Sequence, residues 1–310
     1  MNHCVIFTIA LSIIMQPYCN GMENEMKNKL SSFIIDEHYR PTSTLLNILK
    51  TTGIEHNGTL ENIVTETQKH WLRPANKERW ENETVFILHH KNPSKLFTDL
   101  ELIQEIKPAQ QQYNHVVLLG STIQSIRNRL AYLITLWNNG VRFDSINILA
   151  GQRPLDKTIE SLEILLDTTS TALSCKQSWQ LNGALPTTET EMIKMIFDQA
   201  DLPSEWNNIA INFVETPMQQ TENDSQRRPN THDTIVEWIT LYNPQAGSIL
   251  AISSQPFIGY QDAVLRNFLP KNFTVETVGY ECSNDYKIPT ILDSLARWIY
   301  NEYQISKKHQ

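Results

Sequence analysis

The sequence predicts an α/β protein with an open parallel sheet of about five strands, a three-layer arrangement of helix, sheet and helix, and a mainly helical N-terminal subdomain. Short runs rich in β-branched residues alternate with segments of helical periodicity after residue 115. These runs are apolar on both faces, which is typical of parallel strands that are buried on both sides. They occupy residues 116–119, 146–150, 209–214, 249–252 and 273–275.

The composition excludes several classes of protein. The 310 residues are 40% hydrophobic and 19% charged, which is typical of a globular chain and unlike a disordered or multi-span membrane protein. The formal net charge of -8 argues against a nucleic-acid partner, because such binding depends on neutralising phosphates. The ten glycines form no G-x-G, so the dinucleotide fingerprint and the Walker A loop are absent. No H-E-x-x-H or C-x-x-C occurs, and no metal site is predicted.

The first 21 residues are predicted to be a signal peptide. Residues 4–15 form a largely apolar run that is too short to span a membrane and has the length of a signal-peptide core. Small residues follow, which predicts cleavage near Gly21, export to the periplasm or medium, and no stable membrane span afterwards. Because no Lys or Arg precedes the run, an uncleaved N-terminal anchor remains the alternative.

Residues 22–112 are predicted to form the helical subdomain. Apolar clusters at residues 45–49 and 60–64 indicate two helices, and a third is predicted over residues 96–106. One short apolar run at residues 85–88 is interpreted as a strand. The Trp-containing stretches at residues 71–74 and 77–81 either line the mouth of a cleft or pack against the second domain.

Residues 113–310 are predicted to form the α/β domain, and several of its helix boundaries have local signals. Apolar residues spaced three and four apart predict a helix from Ile123 that ends before Gly140. Thr188 and Glu191 have the spacing of a capping box, and another helix is expected to begin at Asn230. The chain closes with a helix from Ile288.

The predicted sheet also predicts where a ligand binds. Ligands of open α/β sheets lie beyond the carboxyl ends of the strands. Four polar segments follow the predicted strands and are expected to converge there; they are residues 120–121, 151–153, 215–233 and 253–261.

Five short motifs occur in the order found in the YdcF-like family, also called the SanA/ElyC/YdcF family or domain of unknown function 218. The first is VVLLGSTIQSIRNRLAYLITLWNNG, with Arg129 in the place of the family's Arg, and the second strand ends in Gly151. The others are the Thr-Glu-Thr-Glu helix start at residues 188–191 with the later Glu215, the Asn-Thr pair at 230–231 and the Ser-Ser pair at 253–254. The chain resembles this family over about residues 113–300.

The resemblance implies a Rossmann-like domain, a nucleotide-type ligand such as S-adenosylmethionine, and association with the bacterial envelope. Many members carry a His and an Arg after the fourth strand, where this chain reads Gln255-Pro256-Phe257. His232-Asp233 also stands where the family commonly has an aromatic residue and Glu. Loss of the basic pair favours a binding or scaffold module that does not catalyse a reaction.

The candidate site residues come from these segments. Glu189 and His232 are the candidates for acid–base chemistry, because a carboxylate and an imidazole can each move a proton near neutral pH. The backbone amides after the first strand and two arginines are expected to hold an anion. The full set of predicted ligand-binding residues is Gly120, Ser121, Arg129, Gly151, Arg153, Glu191, Glu215, Asn230, Thr231, Ser253, Ser254 and Gln255. Helix capping alone also accounts for Glu191, Asn230 and Asp233.

The predicted function is binding of a small nucleotide-like or anionic ligand by an exported or envelope-associated protein, with no reaction assigned. If the protein is an enzyme, Glu189, Asn230 and His232 position the ligand for transfer or hydrolysis. The alternatives are a non-catalytic module of the same fold and a divalent-metal hydrolase that uses Glu189, Glu191 and Asp233. No oligomeric state is predicted.

Overall fold

The structure is a computed structural model that describes residues 30–74, 77–82, 84–86, 88, 93–221, 225–283 and 286–309. The predicted signal peptide at residues 1–21 lies outside the described residues. Within them, every helix is too short or too polar to cross a membrane.

The prediction of a five-stranded parallel sheet is confirmed. Its strands are β1 (Gln112–Leu119), β2 (Arg142–Gly151), β3 (Ala210–Thr216), β6 (Ser248–Ser254) and β7 (Thr274–Tyr280). They lie in the order β3-β2-β1-β6-β7, and all neighbours pair in parallel. A small antiparallel hairpin, β4 (Gln219–Gln220) with β5 (Gln226–Arg227), follows β3.

Helices fill the connections between strands and most of the N-terminal region. The N-terminal helices are α1 (Ser43–Thr51), α2 (Leu60–Trp71) and α3 (Pro93–Asp99). Those of the α/β region are α4 (Ile123–Asn138), α5 (Leu162–Leu166), α6 (Glu189–Gln199), α7 (Thr231–Tyr242), α8 (Ile258–Phe268) and α9 (Ile288–His309).

The sheet is covered on both faces because alternate residues of each strand point to opposite sides. Val116 and Leu118 of β1 belong to an apolar core with α4 and α6. Val117 and Leu119 belong to a second core, which α7 and α8 complete. The architecture is therefore the predicted three-layer, Rossmann-like arrangement.

The strand order reverses between β1 and β6. The chain moves outward from β1 to β2 and β3, then returns to pair β6 with the other side of β1 and continues to β7. The connections that leave β1 and β6 therefore diverge and open a crevice at their carboxyl ends, which is where ligands of such sheets bind.

The N-terminal helices share an apolar core with α9. Ile48 of α1, Ile63 of α2 and Phe97 of α3 are fully buried in one cluster with Trp298 of α9. Ala263 of α8 also belongs to this cluster, so it extends into the α/β region. The predicted domain boundary at residue 112 stays a prediction, but apolar residues from both sides of it are buried together.

A buried polar network also joins the N-terminal region to α8 and α9. Arg266 donates to Asp262 over 2.7 Å and also to Glu302 on α9. Glu302 accepts further hydrogen bonds from Ser31 at 2.9 Å and from Trp298 at 3.1 Å. The network therefore joins the start of the described chain to α8 and α9.

Two predicted N-terminal elements differ from the structure. The helix predicted over residues 96–106 ends at Asp99, because Glu101 adopts a left-handed conformation with φ 53° and the Leu102 N–H donates to the Phe97 carbonyl. A helix end with a left-handed residue usually has glycine at that position, so a glutamate there could not be recognised as a helix stop from the sequence. Val85, Phe86 and Leu88 lie outside the strands of the described chain, and Ile87 is outside the described residues.

Candidate functional site

A cleft of about 620 Å³ opens where the strand order reverses. Its walls come from Gly120 and Ser121 after β1, Phe257 before α8, Arg228 after the hairpin, and Arg79 of the N-terminal region. The volume lies within the usual range for small-molecule sites. The cleft is therefore the candidate functional site.

The N-terminus of α4 points its first turn toward this cleft. Ser121, Thr122 and Ser125 all line it. Within the described chain no side chain caps this helix, since the Thr122 hydroxyl donates to Ser125 over 3.2 Å instead. In contrast, Thr188 caps α6 and Asn230 caps α7 as predicted. The uncapped end of a 16-residue helix favours a negatively charged group.

Gly120 lets a buried carboxylate approach the end of β1. A Cβ atom at residue 120 would lie 2.9 Å from Glu189 Oε1 and 2.9 Å from the Leu149 carbonyl oxygen, closer than side chains normally pack. Glu189 is only 8% exposed, and its Oε2 accepts a hydrogen bond from the Gly151 N–H at 3.2 Å. Glycine at residue 120 therefore makes room for the Glu189 carboxyl group at the cleft wall.

Arg153 is held rigidly beside Glu189. Its guanidinium donates two hydrogen bonds to Glu160, at 2.9 and 2.7 Å, and a third to the Ser121 carbonyl at 3.2 Å. Its Nε lies 3.6 Å from Glu189 Oε1. Because Glu160 is itself 2% exposed, this is a buried, two-point ion pair that fixes the cleft wall.

Removal from water raises the pKa of Glu189 above the usual glutamate range. The Arg153 charge and the Gly151 N–H favour the ionised form but only partly offset this effect. A carboxyl group with a raised pKa at a cleft wall is a candidate for holding or releasing a proton in the site.

Glu189→Gln is expected to stabilise the protein at pH values above the raised folded-state pKa of Glu189. With a raised folded-state pKa, the folded wild type binds more protons than the unfolded chain, so its stability falls as pH rises through that pKa. The neutral amide has no such dependence. Urea unfolding followed by circular dichroism between pH 4 and pH 8 measures the effect.

Glu191→Gln on the same helix is the matched control. Hydrogen bonds from Thr187 lower the pKa of Glu191, so its ionised form stabilises the fold and its removal should destabilise the protein above that pKa. The two substitutions should thus change the pH profile in opposite directions. Profiles that run parallel for wild type and Glu189→Gln would contradict the prediction.

The cleft concentrates positive charge in an acidic chain. The cationic side chains that line it are Arg73, Arg79, Arg153, Arg227, Arg228, Lys287 and Arg297. Among the described residues, the carboxylates within ion-pair distance of these seven cations are five: Glu78, Glu160, Glu189, Asp233 and Asp293. An excess of two positive charges remains while the chain as a whole carries -8. Such local excess attracts anions.

The structure brings six of the predicted site residues together at this cleft. They come from four separate segments of the chain, as expected for the carboxyl edge of a parallel sheet. The six are Gly120, Ser121, Arg153, Glu189, Asn230 and Thr231.

Other predicted ligand-binding residues lie behind the cleft wall and join its parts. Arg129 is buried, donating to the Leu119 carbonyl at 2.6 Å and to the Ser254 hydroxyl at 3.1 Å, so it ties the end of β1 to the end of β6. Ser253 donates to Gln261. Gln255 donates to the carbonyls of residues 101 and 104, at 2.8 Å each, and so anchors the N-terminal region.

Gly151 packs against Pro229 and does not line the cleft. A Cβ atom at residue 151 would lie 2.3 Å from Pro229 Cγ, so only glycine allows Pro229 to sit against the end of β2. This contact places the next residue, Asn230, at the cleft. Gly151 thereby positions the segment that follows the hairpin.

The last three predicted residues point elsewhere. Glu191 accepts hydrogen bonds from Thr187 and Thr188 as the cap of α6. Glu215 pairs with Lys194 near the surface. The His232 ring lies against Phe268, with ring centroids 3.8 Å apart. None of these predicted residues lines the described part of the cleft.

The Asp233 carboxylate forms an ion pair with Arg227. Two hydrogen bonds of 2.6 and 3.0 Å join them, and Asp233 also accepts from the Asn230 N–H at 2.7 Å. Within the described chain, no group of three or more His, Cys, Asp or Glu residues is placed to hold a metal ion.

Most of the cationic residues that line the cleft were not predicted from the sequence. Arg73 and Arg79 line the cleft from the Trp-containing stretches, whereas Lys287 and Arg297 belong to the C-terminal helix region. No local spacing connects residues more than 200 positions apart. Only the packing of α2 against α9 brings them to one wall.

The cleft thus combines an uncapped helix N-terminus, a buried protonatable carboxyl group and excess positive charge. These features favour an anionic group in the cleft. A scan against protein-family models found no match to the chain, and searches of the curated proteins and of the solved structures found none either.

Proposed function

We propose that the chain is an exported or envelope-associated YdcF-like protein that binds a phosphate-bearing, nucleotide-sized small molecule at the carboxyl edge of its sheet. The observation that carries the proposal is the uncapped start of α4, which opens into a cleft whose lining as a whole has an excess of positive charge. Backbone N–H groups and hydroxyls at a helix N-terminus match the oxygens of a phosphate group.

Different residues of this wall would make different contacts with the anion. The first-turn amides of α4 and the hydroxyls of Ser121 and Ser125 donate to the anion. Arg153 supplies charge from a fixed position. Arg228, which now contacts Glu78 at 2.9 Å, can turn its guanidinium from that carboxylate to the ligand.

The proposed binding does not require turnover. Glu189 is the cleft-lining group suited to proton transfer, because burial raises the pKa of its carboxyl group and so favours the protonated form. An enzyme of this fold would use it to protonate or deprotonate the bound molecule. The alternative, a non-catalytic binding module, keeps the same ligand contacts without this step.

Thermal-shift measurements with inorganic phosphate, adenosine monophosphate and S-adenosylmethionine test the proposal. We expect the two phosphate compounds to raise the melting temperature, because a ligand of the native state stabilises it by mass action. Arg228→Gln is expected to weaken phosphate binding about tenfold through the loss of a charge-assisted hydrogen bond.

The matched control is Arg40→Gln, which removes an equal charge from an exposed pair with Asp36 remote from the cleft. It should leave the phosphate-induced shift unchanged. The proposal fails if neither phosphate compound shifts the melting temperature, or if the two variants respond alike. A shift with S-adenosylmethionine alone would favour the cofactor implied by the family resemblance over a phosphate ligand.

A further inference from the structure

We propose that the N-terminal region and α9 form a second anion subsite in the cleft, so that the ligand carries two anionic groups, as a diphosphate does. The inference rests on the proposed function, because it assumes that a first anionic group binds at the start of α4. It adds the chemical class of the ligand and assigns binding to the N-terminal region.

Arg79 is the central residue of this subsite. Its guanidinium carbon lies 4.3 Å from the centre of the Phe257 ring, which holds the group flat against the aromatic face. Its Nε is buried and has no hydrogen-bond partner among the described residues. Within the same part of the chain, no carboxylate lies within 4 Å of this guanidinium. Arg79 therefore lines the cleft with an Nε–H group that no described residue accepts.

Burial lowers the pKa of Arg79 to about 10, which still leaves it protonated at neutral pH. A buried charge without a counter-ion is costly, and an anionic ligand would supply the missing partner. The planar guanidinium can donate two parallel hydrogen bonds to a phosphate group.

The charges around Arg79 are unbalanced in the same direction. Arg73 and Arg297 both pair with one carboxylate, Asp293, at 3.1 and 3.0 Å. Lys287 also lines this side of the cleft and has no ion pair among the described residues. Four cations thus share one carboxylate, which leaves an excess of three positive charges.

The opposite wall, at the start of α4, would bind an anionic group through different contacts. Arg153, Arg227 and Arg228 are paired there with carboxylates, so the first anionic group is held by the amides at the uncapped start of α4 and by Arg228 once it turns from Glu78. The two walls belong to different parts of the chain and face one cavity of about 620 Å³, far larger than one phosphate group. A ligand with two anionic groups satisfies both.

Isothermal titration calorimetry with inorganic phosphate, pyrophosphate and tripolyphosphate tests this inference. For the wild type, we expect at least one of the two longer anions to bind at least tenfold more tightly than phosphate. In Arg79→Met, which keeps the apolar stem against Phe257, that advantage should fall to less than threefold.

Arg142→Met is the matched control. Arg142 also lies 4.3 Å from an aromatic ring, that of Trp137, but it is at the start of β2 and away from the cleft. It should keep the full advantage of the longer anions. Lys287→Gln removes an exposed charge from the subsite and should reduce the advantage even if Arg79→Met does not fold.

The outcomes separate the two proposals. If none of the three anions binds, the proposed function fails and the second subsite fails with it. If phosphate binds but neither longer anion binds more tightly, the second subsite is overturned and the proposed function stands. An advantage that survives both Arg79→Met and Lys287→Gln would likewise overturn the subsite.

Discussion

Replacing Arg153 with Met is expected to lower the free energy of unfolding by about 3–5 kcal/mol, which is the usual cost of breaking a buried ion pair. Arg153 donates two hydrogen bonds to Glu160, and its Nε lies 3.6 Å from Glu189. These carboxylates are only 2% and 8% exposed. Without Arg153, they would face each other in the protein interior with no positive charge between them. Urea unfolding at pH 7 measures the loss.

Arg40→Met is the control for the loss of an exposed ion pair. Arg40 also makes two contacts with a carboxylate, Asp36, but its side chain is 69% exposed. We expect this variant to lose less than about 1 kcal/mol. Adding Glu160→Gln to Arg153→Met should restore part of the stability, because it removes one uncompensated charge. A loss at Arg153 as small as that at Arg40 would contradict the buried pair.

Arg266→Met is expected to cost a similar 3–5 kcal/mol for the same physical reason. Arg266 lies between Asp262 and Glu302, which are 4% and 1% exposed. Burial already raises the pKa of Asp262 with the arginine present. Without it, Asp262 should take up a proton at higher pH in the folded state. The variant's stability should therefore fall with rising pH, and its deficit should be larger at pH 7 than at pH 4.

Ligand binding separates the two arginine variants. Arg266 does not line the described part of the cleft, whereas Arg153 does. At a temperature where both are folded, Arg266→Met should bind phosphate as the wild type does, and Arg153→Met should bind at least tenfold more weakly. Equal phosphate affinities, measured by calorimetry, would show that Arg153 is structural only. A pH-independent deficit in Arg266→Met would contradict its place between two buried carboxylates.

The elements that sequence reasoning predicted well have local physical causes. The inner strands β1, β2 and β6 each contain a run of apolar residues that is buried on both faces. The caps at Thr188 and Asn230 depend on side chains that bond within three residues, so their spacing alone identifies the helix starts. Once the strands are known to be parallel, their carboxyl ends must lie at one edge. This geometry explains why six predicted site residues meet at the cleft.

The rest depends on contacts between distant parts of the chain. Gln255 follows a strand end, as a ligand-binding residue would, and Arg129 stands in α4 at the place of the family's Arg, but the structure uses both to join neighbouring segments. His232 precedes Asp233 in a helix start, yet its ring lies against Phe268 from another helix. Arg79 carries no sequence signal for binding, because its environment is created by Phe257. Such assignments require knowledge of tertiary packing.

Asp293 links the position of the cationic cleft wall to the packing beneath α2. One carboxylate accepts from the Arg73 backbone and side chain and also from Arg297, so it clamps the exit of α2 to α9 beside the cleft. Substitutions in the apolar interior under α2, such as at Ile63, would move that clamp and the cationic wall with it. We therefore expect substitutions at these buried positions to change the proposed anion binding as well as the stability of the protein.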